Sequence, residues 1–218
     1  TTAVASLGTT DIAALSTSQA AALTAAQVNV LNTTDLQFLV TTQVAALSTT
    51  VISHLLTLQF DAFTTTQISN LTATQVGVLT SSEIAVLTTT EVQAFTTTQA
   101  GALTATQLGS LTTTALANFS TTQFAALSTT QTRGLTTSQL NALSTANLNA
   151  IDLNELSTTQ VAGLSTTAVT NLTTTQVATL TTSQVASLTS TEIGTLTTVE
   201  IQAFTTTQAG ALTATQLG

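Results

Sequence analysis

Residues 172–180 read LTTTQVATL, and variants of this phrase begin again at nearly every eighth residue of the chain. A large apolar residue anchors each unit, at 27 positions that run from Leu7 to Leu212. A repeat this short and this regular is typical of a solenoid or a fibre and not of a globular domain. The chain is therefore expected to be a single octapeptide-repeat solenoid over residues 1–218.

The octad carries the signals of a helix start when it is numbered from its apolar anchor. Position 2 is nearly always Ser or Thr, position 5 is mostly Gln or Glu, and position 6 is mostly apolar. Ser or Thr followed three residues later by Gln or Glu is the capping box that begins an α-helix. Positions 1 and 6, such as Leu71 and Val76, are then spaced as in a hydrophobic staple.

The acidic residues favour the same interpretation. Six of the nine stand at position 5, inside the first turn of such a helix, where the helix dipole favours negative charge. These six are Asp11, Asp35, Glu83, Glu91, Glu192 and Glu200. The pattern predicts an all-α fold, a repetitive solenoid of short capped helices with one helix per eight-residue repeat.

A β-solenoid is the alternative fold, because Thr and Val suit strands. The octad lacks the recurrent Gly turn expected at the corners of such a coil. A single continuous helix is disfavoured, because eight residues overshoot two helical turns by about 80° and the Leu stripe would spiral around the helix.

Helices of about six residues are too short to be stable alone, so their apolar residues must be buried by neighbours. The simplest arrangement has two octads per 16-residue turn of the solenoid, with positions 1 and 6 inside. Three octads per turn would bury the same positions, and the sequence does not decide between the two.

The repeat has a longer period and two irregular segments. Residues 88–109 recur at 197–218 with 20 of 22 identities, which indicates a 109-residue super-repeat (1–109 and 110–218). The unit that begins at Ile151 has five residues, so we expect a kink or loop in the irregular segment 147–156.

The second irregular segment is 51–63, where Val51 replaces the usual Gln and Leu56 replaces the capping residue. Phe60, Asp61 and Phe63 could form a lateral contact there, although a repeat that has drifted is the simpler explanation.

Charge and composition exclude several classes of partner. The formal net charge is −8 and Arg133 is the single strong cation, whereas nucleic acids and anionic membrane surfaces require clustered Lys and Arg. No apolar run approaches the length of about 18 residues that indicates a bilayer span, so membrane insertion is not expected. Self-association, end to end or lateral, is the partner that we expect.

The sequence offers no constellation for catalysis. His54 is the only His, Cys is absent, and the many hydroxyls have no neighbouring general base. We therefore expect a protein that is not an enzyme, with no catalytic, cofactor-binding or metal-binding residue and no cofactor. Glu83 with Glu91, and Glu192 with Glu200, lie one octad apart and could capture Ca²⁺, but helix capping explains them more simply.

Rows of Thr, such as 64–66 and 96–98, recur with the octad. Exposed Thr arrays can order water, so an ice- or surface-binding module is the alternative function.

The units LTTTQVATL (172–180), LVTTQVAAL (39–47) and FSTTQFAAL (119–127) resemble Thr/Gln-rich octapeptide tracts of very large bacterial surface or secreted adhesin-like proteins. The resemblance implies an extracellular or cell-surface location and a non-enzymatic structural role as a stalk, filament or adhesive fibre that assembles end to end. It transfers no active-site residue. The absence of an initiating Met suggests a processed product or part of a longer chain.

Overall fold

The computed structural model describes residues 2–218, which form 26 short α-helices and one 3₁₀ helix without any β-strand. This confirms the all-α prediction, and the β-solenoid alternative is wrong. The chain divides into two compact units, unit 1 up to Asn118 and unit 2 from Phe119 to Gly218.

In unit 1 the helices are α1 (Thr2–Ala5), α2 (Thr9–Ala13), α3 (Thr17–Ala21), α4 (Ala25–Val28), α5 (Thr33–Gln37), α6 (Thr41–Ala46), α7 (Thr49–Ile52), α8 (Thr57–Asp61), α9 (Thr65–Ser69), α10 (Ala73–Gly77), α11 (Ser81–Ala85), α12 (Thr89–Ala94), α13 (Thr97–Ala102), α14 (Ala105–Ser110) and α15 (Thr113–Ala117). In unit 2 they are α16 (Thr121–Ala125), α17 (Thr129–Gly134), α18 (Thr137–Asn141), α19 (Thr145–Asn149), the 3₁₀ helix (Leu153–Glu155), α20 (Thr158–Ala162), α21 (Thr166–Thr170), α22 (Thr174–Thr179), α23 (Thr182–Ser187), α24 (Ser190–Thr195), α25 (Thr198–Gln202) and α26 (Thr206–Ala209).

The helices begin where the capping boxes predict. In α9, the Thr64 hydroxyl accepts a hydrogen bond from the Gln67 amide N–H at 3.2 Å, and Gln67 Oε1 accepts one from the Thr64 amide N–H at 2.8 Å. Two of the amide groups that a helix start leaves without a partner are thereby satisfied. The same reciprocal pair recurs in most helices of both units.

Each helix ends in a corner that requires no glycine. Positions 1 and 2 adopt extended backbone, as at Leu103 (φ −63°, ψ 136°) and Thr104 (φ −75°, ψ 161°). Among residues 2–218, the only positive φ belongs to Gly218. Two extended residues, close to the polyproline II conformation, therefore turn the chain from one helix to the next.

Unit 1 has three octads per turn of the solenoid, because each helix packs against the helix three octads later. The three resulting columns are α1–α4–α7–α10–α13, α2–α5–α8–α11–α14 and α3–α6–α9–α12–α15. The simpler arrangement of two octads per turn is wrong. Three helical walls enclose the apolar residues of positions 1 and 6 on all sides, whereas two walls would leave the edges of the core open to water.

Unit 2 follows the same rule, with α20 packed on α23, α21 on α24 and α23 on α26. The five-residue unit takes a full place in this order, since the 3₁₀ helix packs between α17 and α22. Leu153 is fully buried, and Ile151 and Leu156 flank it inside the core. The irregular segment 147–156 thus contains the end of α19 and a tightened 3₁₀ turn, and it leaves the three-sided frame intact.

The core consists of positions 1 and 6. Val76 and Ile84 at position 6 are completely buried, and the position 1 residues Leu71 and Leu79 nearly so. Phe119 and Phe124 form the staple of α16, with their ring centroids 5.6 Å apart. Most octads therefore contribute two large apolar side chains to one continuous interior within their unit.

Candidate functional site

The side chain at position 5 makes hydrogen bonds to two different turns. Gln75 Oε1 accepts from the Thr72 amide N–H at 2.8 Å, which closes the capping box of α10. Gln75 Nε2 donates to the carbonyl groups of Val44 at 2.9 Å and Leu47 at 2.7 Å, one turn earlier in the solenoid. One amide group thus begins its own helix and binds that helix to the preceding turn, and we call this arrangement the Gln bridge.

The Gln bridge recurs along both units with a regular spacing, which is three residues shorter where it crosses the five-residue unit. The acceptors lie 31 and 28 residues before the Gln, as for Gln107 with Val76 and Leu79. For Gln160, whose bond crosses the five-residue unit, they lie 28 and 25 residues before it. Bridges to two such carbonyl groups are made by Gln43, Gln59, Gln67, Gln75, Gln99, Gln107, Gln160, Gln184, Gln208 and Gln216, all of them buried.

Sequence reasoning predicted the capping half of this arrangement and missed the half that joins turns. A signal for the second half was present in the preference for Gln over Glu. Gln occupies position 5 in 16 units, whereas Glu occupies it in four of the eight-residue units. A capping box and a helix dipole are served at least as well by Glu. Only the bond to the preceding turn requires the amide donor of Gln.

Glu83 keeps the capping half, and its ionised carboxylate has no donor for the other half. Glu83 Oε2 accepts from the Thr80 amide N–H at 2.6 Å and from the Thr80 hydroxyl at 2.8 Å. Its other oxygen, Oε1, is buried and has no hydrogen-bond partner in the described chain. Burial raises the pKa of the Glu83 carboxyl above its usual range, and the two bonds from Thr80 lower it by less.

The paired acids cap separate helices. Glu83 belongs to α11 and Glu91 to α12, which lie in different columns of unit 1, and each bonds the Thr that begins its own helix. Glu192 and Glu200 do the same in α24 and α25. Over residues 2–218, no three His, Cys, Asp or Glu side chains lie close enough together to hold a metal ion.

The irregular segment 51–63 places its residues differently from the lateral contact suggested by the sequence. Phe60 and Phe63 are buried, with ring centroids 6.1 Å apart, so they cannot contact another molecule. Asp61 alone of the three is exposed. The exposed apolar residues of this segment are instead Leu56, at 58% exposure, and Leu58, at 70%.

The two other singular side chains have local structural roles. His54 is exposed, and its Nδ1 lies 2.8 Å from the Thr50 carbonyl oxygen. Arg133 Nε donates to the Glu155 carbonyl group at 2.9 Å, and Thr129 donates to the Glu155 carboxylate at 2.8 Å. Arg133 and Thr129, both on α17, thereby hold the end of the 3₁₀ helix.

A shallow groove of about 550 Å³ crosses unit 2 near Gly163. Its lining consists of Thr137, Thr158, Thr159, Ala162, Gly163 and Ser187. A Cβ atom at Gly163 would lie 2.5 Å from Thr137 Cγ2. The end of α20 and the start of α18 therefore approach each other closely at this groove.

The helices are also short relative to a bilayer. Within the described part of the chain, none has the length and apolar character needed to span a membrane.

Comparison with known proteins identifies a repeat of known type in part of the chain. A family described as the ALTTAQ repeat matches residues 116–151 and 146–182. No curated protein matches the chain. The match agrees with a Thr- and Ala-rich repeat tract, and it spans the five-residue unit at 151–155.

Proposed function

We propose that this chain is a non-enzymatic structural protein, which forms a stalk, filament or adhesive fibre outside or on the surface of a bacterial cell. The observation that carries the proposal is the Gln bridge. It gives every turn amide donors toward the preceding turn and carbonyl acceptors toward the following one, as Gln208 illustrates with Val177 and Leu180. A scaffold built this way can be lengthened by any further turn of the same kind.

The first and last described turns carry complementary groups for such extension. Gln19 and Gln27 stand too early in the chain for any residue to lie 28 positions before them, and Gln19 is exposed. In the last turn, Leu196, Phe204 and Leu212 occupy the position whose carbonyl group elsewhere accepts from a Gln 28 residues later, which for each of them falls beyond residue 218. A further turn, from a longer chain or from a second copy, would pair these donors and acceptors. Between two copies such pairing would join unlike ends, so the proposed assembly is end to end and heterologous.

Sedimentation velocity of the 218-residue chain at increasing concentration tests end-to-end assembly. We expect growing oligomers, visible by electron microscopy as filaments. Gln19→Glu removes an amide donor and adds a charge at the first turn, so it should weaken assembly at unchanged helicity. Gln37→Glu makes the same change at an exposed position of α5 and serves as the control. Assembly that is equally affected by both variants, or absent in the parent chain, would contradict the end-to-end mechanism.

The location outside the cell is a separate part of the proposal, supported by the resemblance to surface and secreted repeat proteins. Labelling of intact producing cells with an impermeant reagent or a fluorescent antibody checks it. Signal confined to lysed cells would contradict the location and leave the assembly result untouched.

An ice- or surface-binding module is the second candidate, and one observation favours it. The helices of one column in unit 1 present a line of exposed hydroxyl residues at position 4, namely Ser18, Thr42, Thr66, Thr90 and Thr114. Packed helices are about 8–10 Å apart, whereas strands in a β-solenoid are about 4.8 Å apart. Hydroxyl groups along this line are thus spaced about twice as widely as along a β-ladder. This wider spacing favours the structural role over ice binding. Thermal hysteresis of a concentrated solution decides, and its absence excludes ice binding.

A further inference from the structure

Glu83 stands at position 5, where most octads have Gln. The spacing of the Gln bridge assigns it the carbonyl groups of Ile52 and Leu55, 31 and 28 residues earlier. Gln75 in the preceding octad, and Gln107 in the next octad of the same column, show the intact arrangement. Gln75 and Gln107 both donate through Nε2 to carbonyl groups at that spacing, over 2.7–2.9 Å.

The orientation of the Glu83 carboxyl group follows from its capping box. Its Oε2 accepts from the Thr80 amide N–H, the bond that Oε1 of a Gln makes in other octads. The remaining oxygen, Oε1, therefore takes the place of the bridging amide nitrogen. Glu83 is 1% exposed and this oxygen has no hydrogen-bond partner, so a bare carboxylate here would face a carbonyl oxygen without any donor between them.

We propose that Glu83 is a proton-binding site, in which a proton on Oε1 is donated to the carbonyl group of Leu55 and replaces the amide of the Gln bridge. A neutral carboxyl group has the shape of a carboxamide and one donor hydrogen, so it restores the bond between α11 and the turn that precedes α8. Loss of the proton breaks that bond and leaves a buried charge. The contact between these two turns of unit 1 is consequently tightened in acid and loosened in base.

No charged partner in the surroundings of Glu83 stabilises its ionised form. Helix α11 packs against α8 and α14. Asp61 at the end of α8 and His54 in the turn before α8 are both exposed, and α14 has no ionisable residue. Glu91, the nearest acid along the chain, caps α12 in another column. Burial is accordingly the main influence on the carboxyl group, and it raises the pKa.

The sign of the pH dependence follows from that direction. A folded-state pKa above the unfolded value means that the folded chain binds the proton more tightly. The stabilisation is complete below the unfolded value, about 4.3 for Glu, and is lost as the pH rises through the folded-state pKa of Glu83.

Thermal unfolding of the full chain between about pH 4 and about pH 8 tests the site, bracketing the ordinary Glu value. Glu83→Gln supplies the missing amide and removes the titration. The unfolding midpoint of the variant should exceed that of the parent chain by about 2–4 °C at the upper end of this pH range. The difference between the two midpoints should shrink toward the lower end of the range. Glu91→Gln is the matched control, because Glu91 has the same capping bonds at 2.7 and 2.8 Å but is 9% exposed. The difference in unfolding midpoint between Glu91→Gln and the parent chain should change much less with pH.

Three results would overturn the assignment. The first is an equal pH dependence for both variants. The second is a carbon-detected NMR titration in which the Glu83 carboxyl titrates at the ordinary Glu value. The third is stabilisation of the parent chain at neutral pH by Na⁺ or K⁺ over tetramethylammonium that Glu83→Gln abolishes, since the site would then hold a metal cation and not a proton.

Discussion

At the scale of the residue, one amide group accounts for both the start of a helix and the join between turns. Gln107 illustrates it: Oε1 accepts from the Thr104 amide N–H at 2.6 Å, while Nε2 donates to Val76 and Leu79. Buried carbonyl groups without a donor cost more than the bonds themselves contribute. The Gln at position 5 is therefore expected to be the least replaceable polar residue of the octad.

Replacement of Gln107 measures this contribution. Gln107→Ala removes the bridge and the capping bond, so it should lower the free energy of unfolding by about 3 kcal/mol. Gln107→Glu retains the capping bond and should lie between the parent and Gln107→Ala at neutral pH. Gln37→Ala, at an exposed site, should stay within about 0.5 kcal/mol of the parent. Urea unfolding checks all three, and a loss for Gln107→Ala no larger than for Gln37→Ala would refute the bridge.

At this scale the sequence predicted the caps and not the bridge. Ser or Thr with Gln at a separation of three residues is a local pattern, and local patterns can be read from neighbouring residues. The acceptors of Gln107 lie 28 and 31 residues away. Because the octads resemble one another, nothing in the sequence indicates which earlier octad supplies these acceptors. The exposure of Leu56 and Leu58 was likewise not predicted from the sequence, because Phe60 and Phe63 are the more conspicuous apolar residues of that segment.

At the scale of the element, helices of four to six residues persist only because packing on the next turn stabilises them. Small residues near the helix ends allow that packing. Gly163, which caps the end of α20, lies close to Thr137 of α18, whereas a Cβ atom at Gly194 in α24 would meet no atom within 4 Å. The two glycines therefore differ in their surroundings and in the expected effect of the same substitution.

Substitution of these glycines by Ala separates packing from helix propensity. Gly194→Ala should raise the free energy of unfolding by about 0.5–1 kcal/mol, because Ala is the better helix former. Gly163→Ala should lower it, because the new methyl group forces Thr137 to move. Differential scanning calorimetry of both variants checks the signs. Equal shifts would contradict the close approach of α18 and α20.

The five-residue unit shows how the element tolerates a change in length. The expected kink at 147–156 is a 3₁₀ turn that keeps its place between α17 and α22. Arg133 and Thr129 hold it through Glu155. The sequence showed where the repeat is shortened. The packing that keeps the shortened unit in register with its neighbours was not predictable from the unit itself.

At the scale of the whole molecule, the number of octads per turn sets how each turn contacts the next. Two or three octads per turn bury the same positions, so hydrophobic pattern alone did not decide between them. The packing of α9 on α12 and of α11 on α14 does decide it within unit 1, since each pair is three octads apart. The proposed end-to-end growth depends on this register, because each added turn must present its Gln residues to the carbonyl groups of the one before.

Dipolar broadening between spin labels in unit 1 tests the three-octad turn most directly, and the absence of Cys permits clean labelling of introduced pairs. Thr66 and Thr90 are 24 residues apart on the packed helices α9 and α12, whereas Thr66 and Ser82 are 16 apart in different columns. We predict strong broadening for the Thr66→Cys/Thr90→Cys pair and weaker broadening for Thr66→Cys/Ser82→Cys. The reverse order would mean two octads per turn and would contradict the Gln bridge together with the fold built on it.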